Sequence, residues 1–359
     1  MLIVDSTSHD RGWSPINYMV NLASQLLEAG LELAPRDNRL SIQQRLYSIL
    51  SQRKSNGREH EACLLICSSP SDLLTIFKIP GWRKRFRFIA AWVIDSFWLE
   101  WIPATIRLSL PFDHIFITSG EDIDGWYRCL GIRPTWLPWG TDVLTLGSAK
   151  AGRSWDLTRV GRQPPDWDDD KITADCAGQL SIRFHPRPEE FLEDPLRNHA
   201  SLMKLYADSK YLLAFSNLVN PTAYTHPTRE YVTGRWVDAL GCGAVVAGVS
   251  PRGESIDSLL WPGATLDLGG TDRTRGLDLI SEALKNWDSN VPRLNYANSL
   301  RRLDWRQRFR VIASVFGVMP SRLETELQAL DVECLIYKES SDSSVSVDRS
   351  PNGSPAASS

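Results

Sequence analysis

The sequence predicts an α/β protein built from two Rossmann-like domains, each with helices packed on a parallel sheet. Short β-branched apolar runs alternate with longer amphipathic stretches along most of the chain, as in βαβ units. This rhythm occurs twice, and residues 139–156, which are rich in Gly, Ser and Ala, separate its two halves. The length of 359 residues fits two domains of about 150 residues each with some remainder. We therefore expect domains at 1–145 and 146–320.

Five apolar runs predict the strands of the first sheet. Between the first two runs, "INYMVNLASQLLEAG" (16–30) carries apolar residues at helical spacing and ends on Gly30, so it predicts the first crossover helix. The predicted strands are 2–5, 62–67, 88–94, 114–119 and 135–138.

The second half repeats the pattern and then becomes helical. The predicted strands are 156–161, 180–184, 211–216, 244–249 and 264–268, and the predicted helices are 198–208, 230–241, 274–287, 291–302, 304–317 and 321–337. From Lys338 the composition turns to Ser, Asp, Pro and Gly, which predicts a disordered tail at 338–359.

Composition limits the classes of function. The 40 basic and 43 acidic residues nearly balance, so bulk charge gives no reason to expect a nucleic-acid partner. Six cysteines without a CxxC pair indicate neither a zinc knuckle nor a disulfide framework, which favours a reducing cytoplasm. The apolar start is too short for a signal peptide and no run approaches the roughly 20 residues of a membrane span, so we expect a cytoplasmic protein.

The 14 tryptophans are the one unusual feature of the composition. Several stand beside Gly or Pro in predicted loops. They have two interpretations, which are packing in cores and hinges or ring platforms on which a sugar stacks.

Glu230 and Asp238 lie eight residues apart on the predicted helix 230–241, which places both carboxylates on nearly one face. The spacing alone fits a solvated helix surface as well as a functional pair. The following "ALGCGAVVAG" (239–248) is typical of a helix that ends against a buried parallel strand.

The stretch "REYVTGRWVDALGCGAVVAG" (229–248) resembles the Glu-x7-Glu region of retaining GT-B glycosyltransferases, the glycosyl transferases group 1 family. Glu230 matches the first acid, and Asp238 replaces the second by a shorter acid. "RVGRQP" (159–164) is similar to the strand and Gly-Arg that open the family's donor domain, and "WLPWGTD" (136–142) is similar to the segment that closes its acceptor domain.

Two further segments extend the resemblance. "AWVIDSFW" (91–98) and residues 113–142 look like those of a bacterial subgroup related to CgeB-type glycosyltransferases. The resemblance covers about residues 60–317 and implies the GT-B fold, in which an N-terminal acceptor domain and a C-terminal donor domain face a central cleft. It also implies that a C-terminal helix, 304–317 or the next, packs back across the domains.

The resemblance implies an enzyme of class EC 2.4 in polysaccharide biosynthesis that uses a nucleotide-diphosphate sugar as donor. The acceptor would be a glycan, a lipid-linked molecule or a small molecule. It implies retention of anomeric configuration, no metal and no cofactor besides the donor.

Each matched residue receives a role from the same resemblance. Glu230 would bind sugar hydroxyls and Asp238 the ribose. Arg162 would bind the diphosphate through two of its donors. Arg235 and the helix start at Thr233 and Gly234 would add positive potential.

Asp95 directly follows the predicted strand 88–94, so its side chain should emerge at the cleft edge of the sheet. We expect it to orient or deprotonate the acceptor hydroxyl, and the alternative is a cap on the next helix. His226 precedes Glu230 in the loop that faces the sugar, where it either contacts the donor or is structural. His9, in the first βα loop (5–14), is interpreted as a surface or hydrogen-bonded histidine.

Several alternatives remain open at this point. "WDDD" (167–170) contains an Asp-x-Asp pair that could hold a divalent cation, but a Pro-rich loop rather than a strand precedes it. "GWRKRFRF" (81–88) fits either contact with the inner membrane face or a solvated connection. Lys171 is the first lysine after Gly-Arg, where the family usually has one sooner.

A non-catalytic sugar-nucleotide-binding or scaffold subunit is the alternative function. An oxidoreductase is disfavoured, because no G-x-G-x-x-G follows a predicted strand.

Overall fold

The computed structural model describes residues 1–35, 60–188 and 192–345, which form two α/β domains. The strands within these ranges are β1 (Leu2–Ser6), β2 (Gly30–Leu33), β3 (His60–Cys67), β4 (Phe86–Val93), β5 (His114–Ile117), β6 (Thr135–Trp136), β7 (Trp155–Arg159), β8 (Phe184–His185), β9 (Ser209–Phe215), β10 (Val245–Val249) and β11 (Thr265–Asp267). The α-helices there are α1 (Ser14–Leu26), α2 (Trp82–Arg85), α3 (Ala104–Ser109), α4 (Ile123–Leu130), α5 (Val143–Leu146), α6 (Asp170–Gln179), α7 (Pro195–Ala207), α8 (Gly234–Gly241), α9 (Glu254–Leu259), α10 (Arg273–Lys285), α11 (Val291–Arg302), α12 (Trp305–Phe316) and α13 (Ser321–Val345).

The first five strands of each sheet follow the same order, and the first sheet has a sixth strand. The first has the strand order β2-β1-β3-β4-β5-β6 and the second β8-β7-β9-β10-β11, and neighbouring strands are parallel throughout. The chain direction across each sheet therefore reverses beside its first strand, at β1/β3 and at β7/β9. Ligands of doubly wound proteins bind at such points, outside the carboxyl ends of the strands. The predicted pair of parallel sheets is confirmed.

The C-terminal helices return to the first domain. The Trp305 ring on α12 packs against Trp92 of β4, with ring centroids 5.9 Å apart, and Phe316 packs against Phe88 at 5.1 Å. At the first residue of α12, the Trp305 N–H donates to the Thr141 carbonyl oxygen at 3.1 Å. One apolar core therefore runs through both domains, and α12 packs across them as expected from the sequence.

Helix α8 begins later than predicted. It starts at Gly234 instead of residue 230, and its N-cap, Thr233, has an extended backbone (φ −118°, ψ 174°). The prediction that Glu230 and Asp238 share one helix face is therefore wrong, because Glu230 precedes the helix.

Three other boundaries differ from expectation. Strand β2 was not predicted, because its four residues are all exposed at the sheet edge and it begins at Gly30, the residue on which the predicted first helix ends. Strand β8 covers 184–185, since residues 180–183 turn through a left-handed Ser181 (φ 59°). Helix α13 continues to Val345, eight residues past the predicted helix end at 337, and 346–359 lie outside the described residues. Among the helices in the described ranges, none has the length and apolarity to span a bilayer.

Candidate active site

A cleft of about 720 Å³ lies between the carboxyl ends of the two sheets. Its walls come from the loops after β1, β4 and β6 in the first domain and after β7 and β9 in the second. Six of the predicted site residues line it, namely Asp95, Arg162, Thr233, Gly234, Arg235 and Asp238. Glu230 and His226 do not belong to this lining.

Arg162 provides cationic donors at one corner of the cleft. It follows β7 directly after Gly161, and its guanidinium donates to the Thr222 hydroxyl at 2.5 Å and lies 5.2 Å from the ring centroid of Tyr224. A guanidinium carries five N–H donors, so Arg162 keeps donors for a ligand. This placement suits the predicted contact with a diphosphate.

Arg235 lies behind the same corner and shapes it. Its Nη1 donates to the carbonyl oxygens of Val160 at 3.1 Å and of Arg162 at 2.9 Å. Burial lowers the pKa of the guanidinium from its ordinary value. Arg235 therefore holds the loop that carries Arg162 in place and adds positive charge to this corner of the cleft. Its Nη1 group already donates to backbone carbonyl oxygens.

The N-terminus of α8 opens onto the same corner. The first N–H groups of a helix have no intrahelical acceptor and give this end a partial positive charge. A Cβ at Gly234 would lie 3.3 Å from the ring of Trp139 and 3.4 Å from Pro15, so glycine allows the first domain to approach the helix closely. The Thr233 hydroxyl is buried here without a partner among the described residues.

Asp238 lies at the floor of the cleft, where its residue is only 2% exposed. Its Oδ1 has no hydrogen-bond partner in the described part of the chain. Burial raises the pKa of this carboxyl to about 7. Its neighbour His199 on α7, whose Nδ1 lies 3.9 Å from Asp238 Oδ2, was not among the residues predicted from the sequence. Buried acids with strongly shifted pKa values concentrate at functional sites.

Glu230 is held at the carboxyl edge of the second sheet instead of on α8. One carboxylate oxygen accepts from the Ser216 hydroxyl just after β9, and the other accepts from the Arg252 N–H at 3.2 Å. It lines a smaller pocket that shares Trp139 and Tyr231 with the cleft. A role for Glu230 toward a sugar would be exercised from this adjoining pocket.

His226 organises its loop. Its Nδ1 accepts from the backbone N–H groups of Thr228 at 3.1 Å and Arg229 at 3.0 Å. Its Nε2 lies 3.4 Å from the carboxylate of Glu100 in the first domain. These contacts organise the loop, and His226 itself is not part of the cleft lining, whereas the preceding Thr225 is.

Asp95 follows β4 and enters the cleft from the first domain. Its backbone N–H donates to the Ser68 carbonyl oxygen at 2.8 Å. Burial, and to a smaller extent the charge of Asp72, raises the pKa of the Asp95 carboxyl to about 7. The capping alternative is wrong, because the next helical turn begins at Leu99 with Trp98 as its N-cap.

The first βα loop borders both the cleft and a second hollow. The hollow has a volume of about 470 Å³ and shares Asp10 with the cleft. His9 in this loop has its Nε2 3.6 Å from Asp5 Oδ2, which fits its interpretation as a histidine held by a neighbouring group.

The acidic run after the proline-rich loop is engaged with protein groups. Asp168 and Asp170 both form ion pairs with Arg159, whose side chain is fully buried. Asp169 is the N-cap of α6 and accepts from the Ile172 N–H. Across the described ranges, no group of three or more His, Cys, Asp or Glu side chains is arranged to hold a metal.

The basic-aromatic stretch 81–88 packs inward. Trp82 and Phe86 are buried in the core of the first domain. Arg83 lies over the Trp82 ring at 4.4 Å, and Arg85 pairs with Glu32 at 2.6 Å. Its rings therefore belong to the protein interior, which leaves the membrane interpretation without its aromatic component.

The tryptophans divide between both interpretations. Trp92, Trp126, Trp167, Trp236 and Trp305 are among the largest fully buried side chains. Trp13 and Trp139 line the cleft, where rings could stack on a ligand.

Lys171 is exposed on α6 and is not part of the cleft lining.

Solved structures of HepE from Anabaena resemble the chain. The complex of HepE with UDP and glucose has a TM-score of 0.54 at 11% identity and covers 88% of this chain and 99% of HepE. The complex with UDP-glucose has a TM-score of 0.52 at 12% identity and covers 88% of this chain and 98% of HepE. No protein-family model and no curated protein matches the chain. The likeness shows that the chain has the predicted GT-B fold.

Proposed function

We propose that the protein is a glycosyltransferase that moves a sugar from a nucleotide-diphosphate sugar to an acceptor hydroxyl. The observation that carries this proposal is that one cleft collects complementary groups from both domains. The second domain supplies Arg162 and the N-terminus of α8, and the first domain supplies Asp95. A cationic group can stabilise the leaving diphosphate and a carboxyl can accept the proton of the acceptor hydroxyl, and sugar transfer calls for both.

The donor would bind to the second domain. The diphosphate would contact Arg162 and the α8 N-terminus, while Arg235 adds potential from behind. Within the described ranges, buried oxygens of Asn217 and Asp238 in the cleft lining have no hydrogen-bond partner. Buried acceptors of this kind call for donors, which the hydroxyl groups of a ribose or a sugar would provide.

The reaction would take place between the two walls. As the bond from the anomeric carbon to the diphosphate oxygen breaks, the cationic corner stabilises the negative charge that develops on the leaving group. Asp95 orients the acceptor hydroxyl and accepts its proton. Glu230 binds sugar hydroxyls from the adjoining pocket. Retention and independence of metal are part of this proposal and rest on the sequence resemblance.

The HepE complexes support the choice of ligand class. In those crystals the same fold holds UDP with glucose, or UDP-glucose. For the present chain we propose a nucleotide sugar without fixing its base. A glycan, a lipid-linked molecule or a small molecule would be the acceptor, and the enzyme would act in the cytoplasm.

Thermal-shift measurements with UDP, GDP, ADP and their sugars test the proposal. Binding to the folded state raises stability by RT ln(1 + [L]/Kd), so one nucleotide series should raise the melting temperature with increasing concentration. Arg162→Ala should reduce the shift at each concentration, and Lys171→Ala, which alters an exposed cation outside the cleft lining, should leave it unchanged. No shift with any nucleotide would refute the proposal. A shift without sugar transfer to any acceptor would favour the non-catalytic binding subunit.

A further inference from the structure

A histidine and an aspartate meet at the floor of the cleft without satisfying each other. His199 Nδ1 lies 3.9 Å from Asp238 Oδ2, and the two residues are 0% and 2% exposed. Neither ring nitrogen of His199, nor Asp238 Oδ1, has a hydrogen-bond partner in the described part of the chain. Buried polar atoms are nearly always paired, so three unpaired atoms in one place require an explanation.

The surroundings fix the ring of His199. It packs against Tyr18 of α1 with ring centroids 4.9 Å apart. The Tyr18 hydroxyl donates to Asp142 Oδ2 at 2.7 Å, and Asp142 Oδ1 accepts from Arg306 at 2.7 Å. His199 is thus held beside Asp238 by a chain of contacts that includes the returning helix α12.

We propose that His199 is a positioning residue for Asp238: its Nδ1–H donates to Asp238 Oδ2 when Asp238 is ionised, which leaves Oδ1 to accept from a hydroxyl of the ligand in the cleft. The inference rests on the proposed function, because the hydroxyl is taken to belong to a nucleotide sugar. A shift of about 1 Å would bring the two groups within hydrogen-bond distance. Ligand binding would then release the proton of Asp238 to solvent.

The charges around the pair are compatible with this coupling. Burial lowers the pKa of His199 to about 4, so the ring is neutral at neutral pH. The titratable groups nearest Asp238 on the packed elements, Tyr206 and Cys242, have pKa values raised by burial and stay neutral too. The fixed charges around these groups are Arg153, Arg235 and the pair Asp142 and Arg306. Among these groups, Asp238, whose pKa burial raises to about 7, is the one that changes charge as the pH crosses neutrality. Asp95 on the first-domain wall of the cleft also has a pKa raised to about 7, so the Asp238→Asn variant is needed to assign the pH dependence.

Binding of UDP, GDP and ADP is measured by calorimetry from pH 6 to pH 9. For wild type, the Kd of the nucleotide that binds should fall about tenfold between pH 6 and pH 8, as expected for an acid that ionises near pH 7. Titrations in two buffers of different ionisation enthalpy should show release of a proton near pH 7. Asp238→Asn should abolish the pH dependence.

Two variants test the role of His199 itself. His199→Phe keeps a ring against Tyr18 but removes both ring nitrogens. Because the ionised Asp238 then lacks the proposed N–H donor, the pH range over which the Kd falls should move to higher pH. At pH 7 binding should be at least about fivefold weaker than wild type, and it should converge with wild type at pH 9. His199→Asn, which places an amide N–H near the position of Nδ1, should restore the wild-type profile. Equal weakening at every pH, or curves that superimpose on wild type, would overturn the proposal.

A measurement without ligand separates this inference from the proposed function. The Asp238 carboxyl is followed by ¹³C NMR in aspartate-labelled protein and is assigned by its absence in Asp238→Asn. The titration midpoint of Asp238 should be higher in His199→Phe than in wild type. In His199→Asn it should return to the wild-type value. If wild type binds no nucleotide but the midpoints shift, the proposed function fails and the coupling stands. If the midpoints of wild type and His199→Phe coincide, His199 does not position Asp238 and the inference fails. Nucleotide binding to wild type without release of a proton would also contradict the inference.

Discussion

Replacing Asp238 with Asn should stabilise the protein at pH 8 and change its stability little at pH 4. In the folded protein, burial raises the pKa of Asp238 to about 7 from the ordinary value of 3.8. Asn has nearly the same shape and carries no charge. The substitution therefore removes the cost of ionising a carboxyl that is 2% exposed.

The sign and size follow from the two pKa values. Between pH 4 and pH 7 the unfolded chain has lost the Asp238 proton while the folded protein keeps it, so rising pH favours unfolding. The loss is complete once the pH exceeds the folded pKa. At about 1.4 kcal/mol for each pKa unit, this raised pKa corresponds to about 4 kcal/mol of stability above pH 7.

Urea unfolding, followed by tryptophan fluorescence at pH 5, 6, 7 and 8, measures the effect. The advantage of Asp238→Asn over wild type should grow by about 2.5 kcal/mol between pH 5 and pH 8. Asp175→Asn, which alters an exposed carboxylate on α6, is the matched control and should show no such growth. A difference that does not vary with pH, or a less stable variant at pH 8, would show that the Asp238 carboxyl does not have a raised pKa in the folded protein.

Three further predictions concern the cleft and the domain junction. Asp95→Asn should lower turnover by about 10²- to 10⁴-fold while the affinity for the donor is retained. The wild-type rate should rise with pH through about 7, because the Asp95 carboxyl loses its proton there. Steady-state kinetics test both expectations, and unchanged turnover in Asp95→Asn would contradict the role of Asp95. Arg162→Ala should raise the Kd of the nucleoside diphosphate, measured by calorimetry, by about 10- to 100-fold, whereas Lys171→Ala should leave it unchanged. An equal rise in Kd for both variants would contradict the contact between Arg162 and the diphosphate. Arg306→Met leaves two buried carboxylates without their cation and should cost about 3–5 kcal/mol in urea unfolding, whereas a loss near zero would contradict that network.

The fold was predictable because its central strands carry their signal locally. The run around Leu64 to Ile66 is apolar at every position, and these residues are fully buried between helices in the parallel sheet. Strand β2 escaped because an exposed edge strand has no such constraint. The start of α8 was misplaced because the segment around Glu230 has helical spacing, whereas contacts with Ser216 and Arg252, distant in sequence, hold Glu230 outside the helix.

The site was predictable only in part, for a similar reason. Residues adjacent to strand ends, such as Asp95 and Arg162, reach the cleft because parallel strands direct their carboxyl ends to one edge. The bonds from Arg235 to the β7 loop depend on how two loops pack, and no spacing encodes them. His199 approaches Asp238 from another helix, so no local pattern relates the two residues.

Release of nucleoside diphosphate from a sugar nucleotide distinguishes a glycosyltransferase from a protein that only binds the donor. The sugar nucleotide that stabilises the protein is incubated with wild type or Asp95→Asn in the presence of candidate acceptors. Wild type should release the nucleoside diphosphate and glycosylate an acceptor, while Asp95→Asn should bind the donor and release far less. Tight binding by wild type without release, whatever the acceptor, would contradict the assignment of a glycosyltransferase.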